Sequence, residues 1–176
     1  MKILLLLEAD SATEVARQVR SGIEALAAAG GCTVTTVEVR RDEVPPCFGC
    51  LACMTRHPGI CVHQRAFESI LAQSGDCDVA VFLTAVVFGT FGSAMKNLID
   101  RGGLIIRNHR RCRQIFIGYG AEVTEEERRT FLDLTAAHRG KADIVHLNVR
   151  ESIEVYFAGS KAEADSICRN IESGAA

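Results

Sequence analysis

The chain has 176 residues, of which 48% are hydrophobic and 24% are charged, and its formal net charge is −2 at pH 7. This length and composition are typical of one globular domain that buries its own core. The near-neutral charge excludes a general electrostatic attraction to nucleic acid or to anionic membranes. The first apolar run ends at Glu8, which is too short for a signal peptide or a membrane span. We therefore expect a cytoplasmic protein.

The eight cysteines divide into two groups by their position in the sequence. Without an export signal, reduced thiols or metal ligands are expected rather than disulfides. Four cysteines lie singly beside or within apolar runs and are expected to be small buried residues: Cys32, Cys77, Cys112 and Cys168. The other four are clustered in one irregular stretch: Cys47, Cys50, Cys53 and Cys61.

In the first half of the chain, the apolar pattern predicts two strands and two helices. Strands are predicted at residues 2–7 and 33–39. The helix between them begins after a cap at Ser11 or Thr13 and ends at Gly30-Gly31. Residues 40–63 lack periodicity, and a loop of this length inside a compact domain is usually functional. A short helix is predicted at residues 66–72.

The second half continues the alternation of strands with helices. A buried strand at residues 79–83 is followed by a glycine-containing loop at 84–92 and by a helix that begins at Ser93. Further strands are predicted at 114–119 and 144–149, and further helices after Thr124 and at 160–172. The pattern predicts an α/β, flavodoxin-like, doubly wound five-stranded parallel sheet of order 2-1-3-4-5, in a single domain over residues 1–176.

In such a sheet, the carboxyl ends of the first, third and fourth strands meet at one edge. The residues that follow these strands are Glu8 to Thr13, Thr84 to Gly92, and Tyr119 to Glu122. Open α/β sheets bind their ligands at this edge. Residues 40–63, which contain the four clustered cysteines and are called the cysteine loop, follow the second strand. This loop is expected to fold over the same edge.

Three stretches of the chain resemble a known family. The segments CFGCLACMTRHPGICV, GTFGSAMKNLIDR and YGAEVTEEERRTF are similar to those of flavodoxin-like NAD(P)H-dependent FMN reductases, in particular the iron–sulfur flavoprotein branch. Lys96 to Arg101 matches the Lys-Asn-x-x-Asp-Arg helix of that family. The resemblance implies an FMN-dependent oxidoreductase or electron-transfer flavoprotein that uses NAD(P)H as substrate and forms a homodimer or homotetramer.

The resemblance also implies where FMN binds. Its phosphate is expected on the loop after the first strand and its ring on the loops after the third and fourth. Backbone amides near Gly89 would face the pyrimidine edge of the ring. The implied cofactor-binding residues are Asp10, Ser11, Thr13, Ala85, Val86, Val87, Phe88, Gly89, Tyr119 and Gly120. No side chain is assigned as catalytic, because the flavin carries the redox chemistry.

The chain departs from the family in its first two loops. The first loop lacks the family's Gly-Ser-Pro-Arg sequence, and the charges of Glu8 and Asp10 oppose a phosphate. In the second loop, Ala85 and Val87 stand where the family usually has a proline and an aromatic residue. These departures leave an alternative function open: a flavodoxin-like subunit without flavin, serving as a regulatory or interaction module.

The spacing of the clustered cysteines admits three alternatives. Two residues separate Cys47 from Cys50 and Cys50 from Cys53, and seven separate Cys53 from Cys61. Thiolates so close in sequence suit a [4Fe–4S] cluster or a Zn ion. Free or redox-active thiols are the third alternative.

Overall fold

The computed structural model describes residues 1–9, 13–57, 60–63, 70, 77–101, 113–137 and 153–173. Six strands form one sheet: β1 (Lys2–Glu8), β2 (Thr33–Val39), β3 (Val79–Val87), β4 (Thr90–Phe91), β5 (Arg113–Tyr119) and β6 (Ile153–Ala158). Four helices are α1 (Glu14–Ala28), α2 (Ser93–Ile99), α3 (Glu125–Ala136) and α4 (Lys161–Ser173). Among these described helices, none combines the length and the apolar character needed to cross a membrane.

The strand order confirms the predicted flavodoxin-like topology. The sheet runs β2-β1-β3-β5-β6, and every neighbouring pair on this path is parallel. The short β4 pairs antiparallel with β3 alone. One row across the sheet joins Thr36, Leu5, Val81, Ile115 and Glu154. Counting only the parallel strands, this is the order 2-1-3-4-5.

The central strands are apolar on both faces because helices cover both sides of the sheet. Successive side chains of a strand point to opposite faces. On β1, Ile3 and Leu5 therefore pack with Val19 of α1 and Ala164 of α4, whereas Leu6 packs on the opposite face. The strand β2 lies at an edge of the sheet, and its alternating exposed and buried residues reflect that position.

The fifth parallel strand differs from the prediction. Residues 144–149, predicted as that strand, lie outside the described residues, as does most of the predicted helix at 66–72. The position beside β5 is filled by β6, which the apolar pattern did not indicate because Glu154 interrupts it. Glu154 is accommodated because Arg113 forms a bidentate ion pair with it, with Nη2 of Arg113 2.7 Å from Oε2 of Glu154.

The two helices on one face of the sheet pack closely at Gly22. A Cβ atom at this position would lie 2.5 Å from Sγ of Cys168, a buried residue of α4. A contact this short requires one helix to shift, so the glycine permits the close approach of α1 and α4.

We predict that Gly22→Ala lowers the free energy of unfolding by about 1–2 kcal/mol, because overpacking outweighs the gain in helix propensity. In a Cys168→Ala background the sulfur is absent, and the same substitution should instead stabilise the protein. Urea denaturation of the four proteins of this cycle measures the coupling. Equal effects of Gly22→Ala in both backgrounds would contradict the packing argument.

Candidate functional site

The carboxyl ends of β1, β3 and β5 meet at one edge of the sheet, as predicted. Parallel pairing aligns these ends, with Leu7 of β1 opposite Leu83 of β3, and Ala85 of β3 opposite Tyr119 of β5. This edge carries most of the residues that the sequence assigned to the cofactor, and it is the part of the fold where ligands bind in open α/β sheets.

The segment after the central strand is a β-hairpin rather than a loop. The predicted strand ends at Leu83, but β3 continues through Ala85, Val86 and Val87. Phe88 and Gly89 then form a two-residue turn to β4, with φ values of 50° and 72°. Two-residue hairpin turns require left-handed backbone, which suits glycine but is uncommon for phenylalanine. Because Phe88 occupies one of the two turn positions, the local sequence did not indicate a hairpin.

The tip of the hairpin is apolar and exposed. The side chain of Phe88 is 89% exposed and that of Val87 is 44% exposed. The turn is supported from below by α3, because a Cβ atom on Gly89 would lie 2.8 Å from Cβ of Thr130. The hairpin therefore holds an exposed aromatic ring at the carboxyl edge on a packed base.

A buried carboxylate lies beneath the hairpin. Glu8, the last residue of β1, is 8% exposed. Its Oε2 accepts hydrogen bonds from the amide of Ala85 at 3.0 Å and the hydroxyl of Thr84 at 3.2 Å. Its Oε1 accepts one from the amide of Met95 at 3.2 Å. From the sequence, we predicted only that Glu8 opposes a phosphate. The sequence feature that could have indicated its role as a buried hydrogen-bond acceptor is an acidic residue at the end of a buried strand.

The other residues assigned to the cofactor have different environments. Asp10 and Ser11 lie outside the described residues. Thr13 caps α1, and its hydroxyl oxygen accepts a hydrogen bond from the amide of Ala16 at 3.2 Å. Tyr119 is 1% exposed and packs in the core, so its ring does not line the edge. Gly120 follows it in the chain, and a Cβ atom at this position would lie 2.4 Å from Cγ2 of Val123.

The four clustered cysteines line one cavity of about 100 Å³, together with Asp100 and Arg101. The amide of Gly49 lies 3.4 Å from Sγ of Cys47, to which it donates a hydrogen bond. Burial raises the pKa of the Cys53 thiol, and the nearby Cys47 raises it further. The cysteines of the described residues are free thiols.

The arrangement around this cavity does not fit a single metal ion. In the described part of the chain, no three histidine, cysteine or carboxylate side chains converge closely enough to hold one. A Zn site requires four donors within about 2.3 Å of one point. A [4Fe–4S] cluster places each thiolate on a different iron, so its ligands surround a volume rather than a point. The described residues therefore contain no preformed site for a single ion, and they do not decide between a cluster, a Zn ion and free thiols.

The helix α2 anchors the cysteine loop. Nδ2 of Asn97 donates a hydrogen bond to the carbonyl oxygen of Val44 at 2.7 Å. Arg101, which is 3% exposed, lies with Nη2 at 3.4 Å from the carbonyl oxygen of Pro46 and Nη1 at 3.0 Å from that of Asn97. These contacts fix the chain immediately before Cys47 against the helix.

The comparison with protein families decides the assignment. The family model described as NADPH-dependent FMN reductase matches residues 1–123, more than two thirds of the chain. The chain belongs to the NADPH-dependent FMN reductase family. The resemblance found in the sequence is thereby confirmed at the family level, and the protein is an FMN-dependent oxidoreductase that uses NAD(P)H. The curated proteins include no match to this FMN reductase.

Solved structures share the fold of this FMN reductase. The NAD(P)H:quinone oxidoreductase from Methanothermobacter marburgensis has a TM-score of 0.69 and 14% identity, covering 98% of this chain and 96% of that one. The FMN-dependent NADH-azoreductase from Bacillus anthracis, in complex with FMN, has a TM-score of 0.60 and 12% identity, covering 99% and 98%. The FerB flavoenzyme from Paracoccus denitrificans has a TM-score of 0.54 and 11% identity, covering 99% and 94%. Likeness at these identities shows the fold alone.

We predict that Asn97→Ala lowers the free energy of unfolding by about 1–2 kcal/mol and loosens the cysteine loop, because the carbonyl of Val44 loses its donor. Alkylation of Cys53, followed by mass spectrometry, should become faster. Lys96→Ala is the matched control, since it removes only an exposed ion pair with Asp100, whose loss costs at most about 0.5 kcal/mol. An unchanged alkylation rate in Asn97→Ala would contradict the anchoring role.

Proposed function

We propose that this FMN reductase binds the flavin ring at the carboxyl edge, against the hairpin formed by Val87, Phe88 and Gly89. The observation that carries the proposal is the exposed ring of Phe88, held on a packed turn at the ligand-binding edge of the fold. Flavin rings are flat and largely apolar, and an aromatic side chain favours stacking or edge contacts with such a ring. The left-handed turn at Gly89 allows close approach of the backbone.

The phosphate of FMN would lie at the amino end of α1. The aligned peptide dipoles of this 15-residue helix favour an anion there. Thr13 already caps the helix through its oxygen, and its hydroxyl proton remains able to donate to a phosphate. Ser11 would supply a second hydroxyl, whereas Asp10 sets a cost that the first loop must offset. The carboxylate of Glu8 is directed instead to the amides of Ala85 and Met95. The backbone at Ala85, Val86, Tyr119 and Gly120 would contact the flavin ring rather than the phosphate.

The bound flavin supplies the redox chemistry by accepting hydride equivalents from NAD(P)H and passing electrons to an acceptor. The contribution of the chain is binding and orientation. The hairpin places an apolar surface on one side of the ring, and the packed core beneath the edge excludes water from the other side. No side chain is needed as a general base in this scheme.

We further propose that Cys47, Cys50, Cys53 and Cys61 hold a [4Fe–4S] cluster, which would supply one-electron transfer. The support is that all four thiols line one cavity, and that the amide of Gly49 donates to the sulfur of Cys47. Such hydrogen bonds stabilise the negative charge of a ligating thiolate. The competing proposal is a set of free thiols without metal.

We also propose that the chain is one domain over residues 1–176 and forms a homodimer or homotetramer in the cytoplasm. Exposed apolar side chains on the cysteine loop, among them Phe48, Leu51 and Ile60, favour contact with a second copy. Light scattering of the purified protein tests the oligomeric state, and a monomer at working concentration would contradict this part of the proposal.

We predict that Phe88→Ala weakens FMN binding by roughly three- to tenfold, the amount expected from losing one aromatic contact. The dissociation constant is measured by titrating apo-protein with FMN and following flavin fluorescence. Leu134→Ala is the matched control, because Leu134 is also an exposed apolar residue but lies on α3. Equal affinities in the parent protein and Phe88→Ala would refute the placement of the ring.

We predict that anaerobically purified protein contains iron and acid-labile sulfide, and that Cys50→Ala loses most of both. Cys32→Ala is the control, since Cys32 precedes β2 outside the cavity, and should retain both. Iron and sulfide assays with the visible spectrum measure the outcome. Parent protein that binds FMN but contains no iron would favour the competing free-thiol proposal.

A further inference from the structure

The carboxylate of Glu8 occupies a position where it joins three elements of the flavin edge. It is the terminal residue of β1, it receives bonds from Thr84 and Ala85 of β3, and it receives one from Met95 of α2. The two amides donate to its oxygens, and the hydroxyl of Thr84 lies 3.2 Å from Oε2 of Glu8 and 3.1 Å from the carbonyl oxygen of Ala85. The hydroxyl of Thr84 also accepts a hydrogen bond from the amide of Gly92 at 3.0 Å.

The amino end of α2 is built around this carboxylate. Gly92 precedes the helix and provides no side-chain cap. A Cβ atom at Gly92 would lie 2.4 Å from both carboxylate oxygens of Glu8, so only glycine leaves room for them. Met95 is the third residue of the helix, and its amide is one that a capping side chain normally satisfies. Glu8 therefore caps α2 from a neighbouring strand, and the helix dipole favours its negative charge.

These contacts set the base of the hairpin that carries Phe88. The bond from the amide of Ala85 fixes β3 two residues before Val87, and the amide of Gly92 also bonds the carbonyl oxygen of Ala85 at 2.9 Å. The two arms of the hairpin are thus held together at the point where Glu8 contacts them. A change at Glu8 is transmitted to the turn because no flexible segment intervenes between Ala85 and Phe88.

We propose that Glu8 is a positioning residue of the flavin site. It holds the hairpin in the position that receives the ring of FMN, and its fixed negative charge beneath the edge lowers the reduction potential of the bound flavin. Reduction adds negative charge to the flavin, and a nearby carboxylate in a poorly solvated place opposes that addition. This inference rests on the proposed placement of the ring against the hairpin.

The test compares Glu8→Gln with the parent protein. Glutamine has nearly the same size, but its amide nitrogen cannot accept a hydrogen bond and the charge is lost. We expect FMN affinity to fall by up to about tenfold, the limit reached when the stabilisation from one hydrogen bond to a charged group is lost entirely from the position of the hairpin that receives the ring. We also expect the midpoint potential of the bound flavin to become more positive. Glu172→Gln on α4 is the control and should change neither quantity.

Glu8→Asp tests the positioning role of Glu8 separately from the effect of its charge on the potential. It also replaces Glu8→Gln as the test variant if Glu8→Gln does not fold. Aspartate keeps the charge but is one methylene shorter, so it should weaken FMN binding while leaving the midpoint potential close to that of the parent protein. A purely structural role would alter thermal stability without the shift in potential that we expect for Glu8→Gln.

The possible failures are distinguishable. If the parent protein binds no FMN, the proposed placement of the flavin fails and the role of Glu8 fails with it. If the parent binds FMN while Glu8→Gln and Glu8→Asp show the same affinity and potential as the parent, the role of Glu8 alone is overturned.

Discussion

The carboxylate of Glu8 accepts hydrogen bonds from two backbone amides and one hydroxyl at the end of a buried strand. A buried carboxylate is costly unless such donors surround it, and here β3 supplies two of them and α2 supplies the third. The same contacts require glycine at position 92 and fix the base of the β3–β4 hairpin. The shape of the carboxyl edge therefore depends on one charged side chain that the fold has enclosed.

The helix α2 connects the carboxyl edge with the cysteine cavity. Its amino end is capped by Glu8, and its carboxyl end holds the cysteine loop through Asn97 and Arg101. The helix has seven residues and is only about 10 Å long, given a rise of 1.5 Å per residue. A redox centre in the cavity would therefore lie close to a flavin at the edge. In the Lys-Asn-x-x-Asp-Arg sequence, Asn97 and Arg101 hold the cysteine loop against α2. The amino end of the same helix contacts Glu8 at the carboxyl edge.

The sequence predicted the sheet order, the central strands and the helix cap at Thr124, because these follow from apolar periodicity and local capping chemistry. For the first helix it left Ser11 and Thr13 as alternatives, of which Thr13 is the cap. It did not predict the hairpin, since phenylalanine is uncommon at the left-handed turn position that Phe88 adopts. It also missed β6, where the partner of Glu154 lies 41 residues away at Arg113. Contacts between residues far apart in the sequence cannot be predicted from a local apolar pattern. The contacts of Glu8 with Thr84, Ala85 and Met95 are also of this long-range type.

A crystal structure of the protein grown with FMN tests the account most directly. We predict that the flavin ring lies against Val87 and Phe88 at the carboxyl edge, with the contacts from Glu8 to Ala85 and Met95 intact beneath it. A ring bound elsewhere on the protein, or a hairpin that has left Glu8 to admit the flavin, would contradict the account.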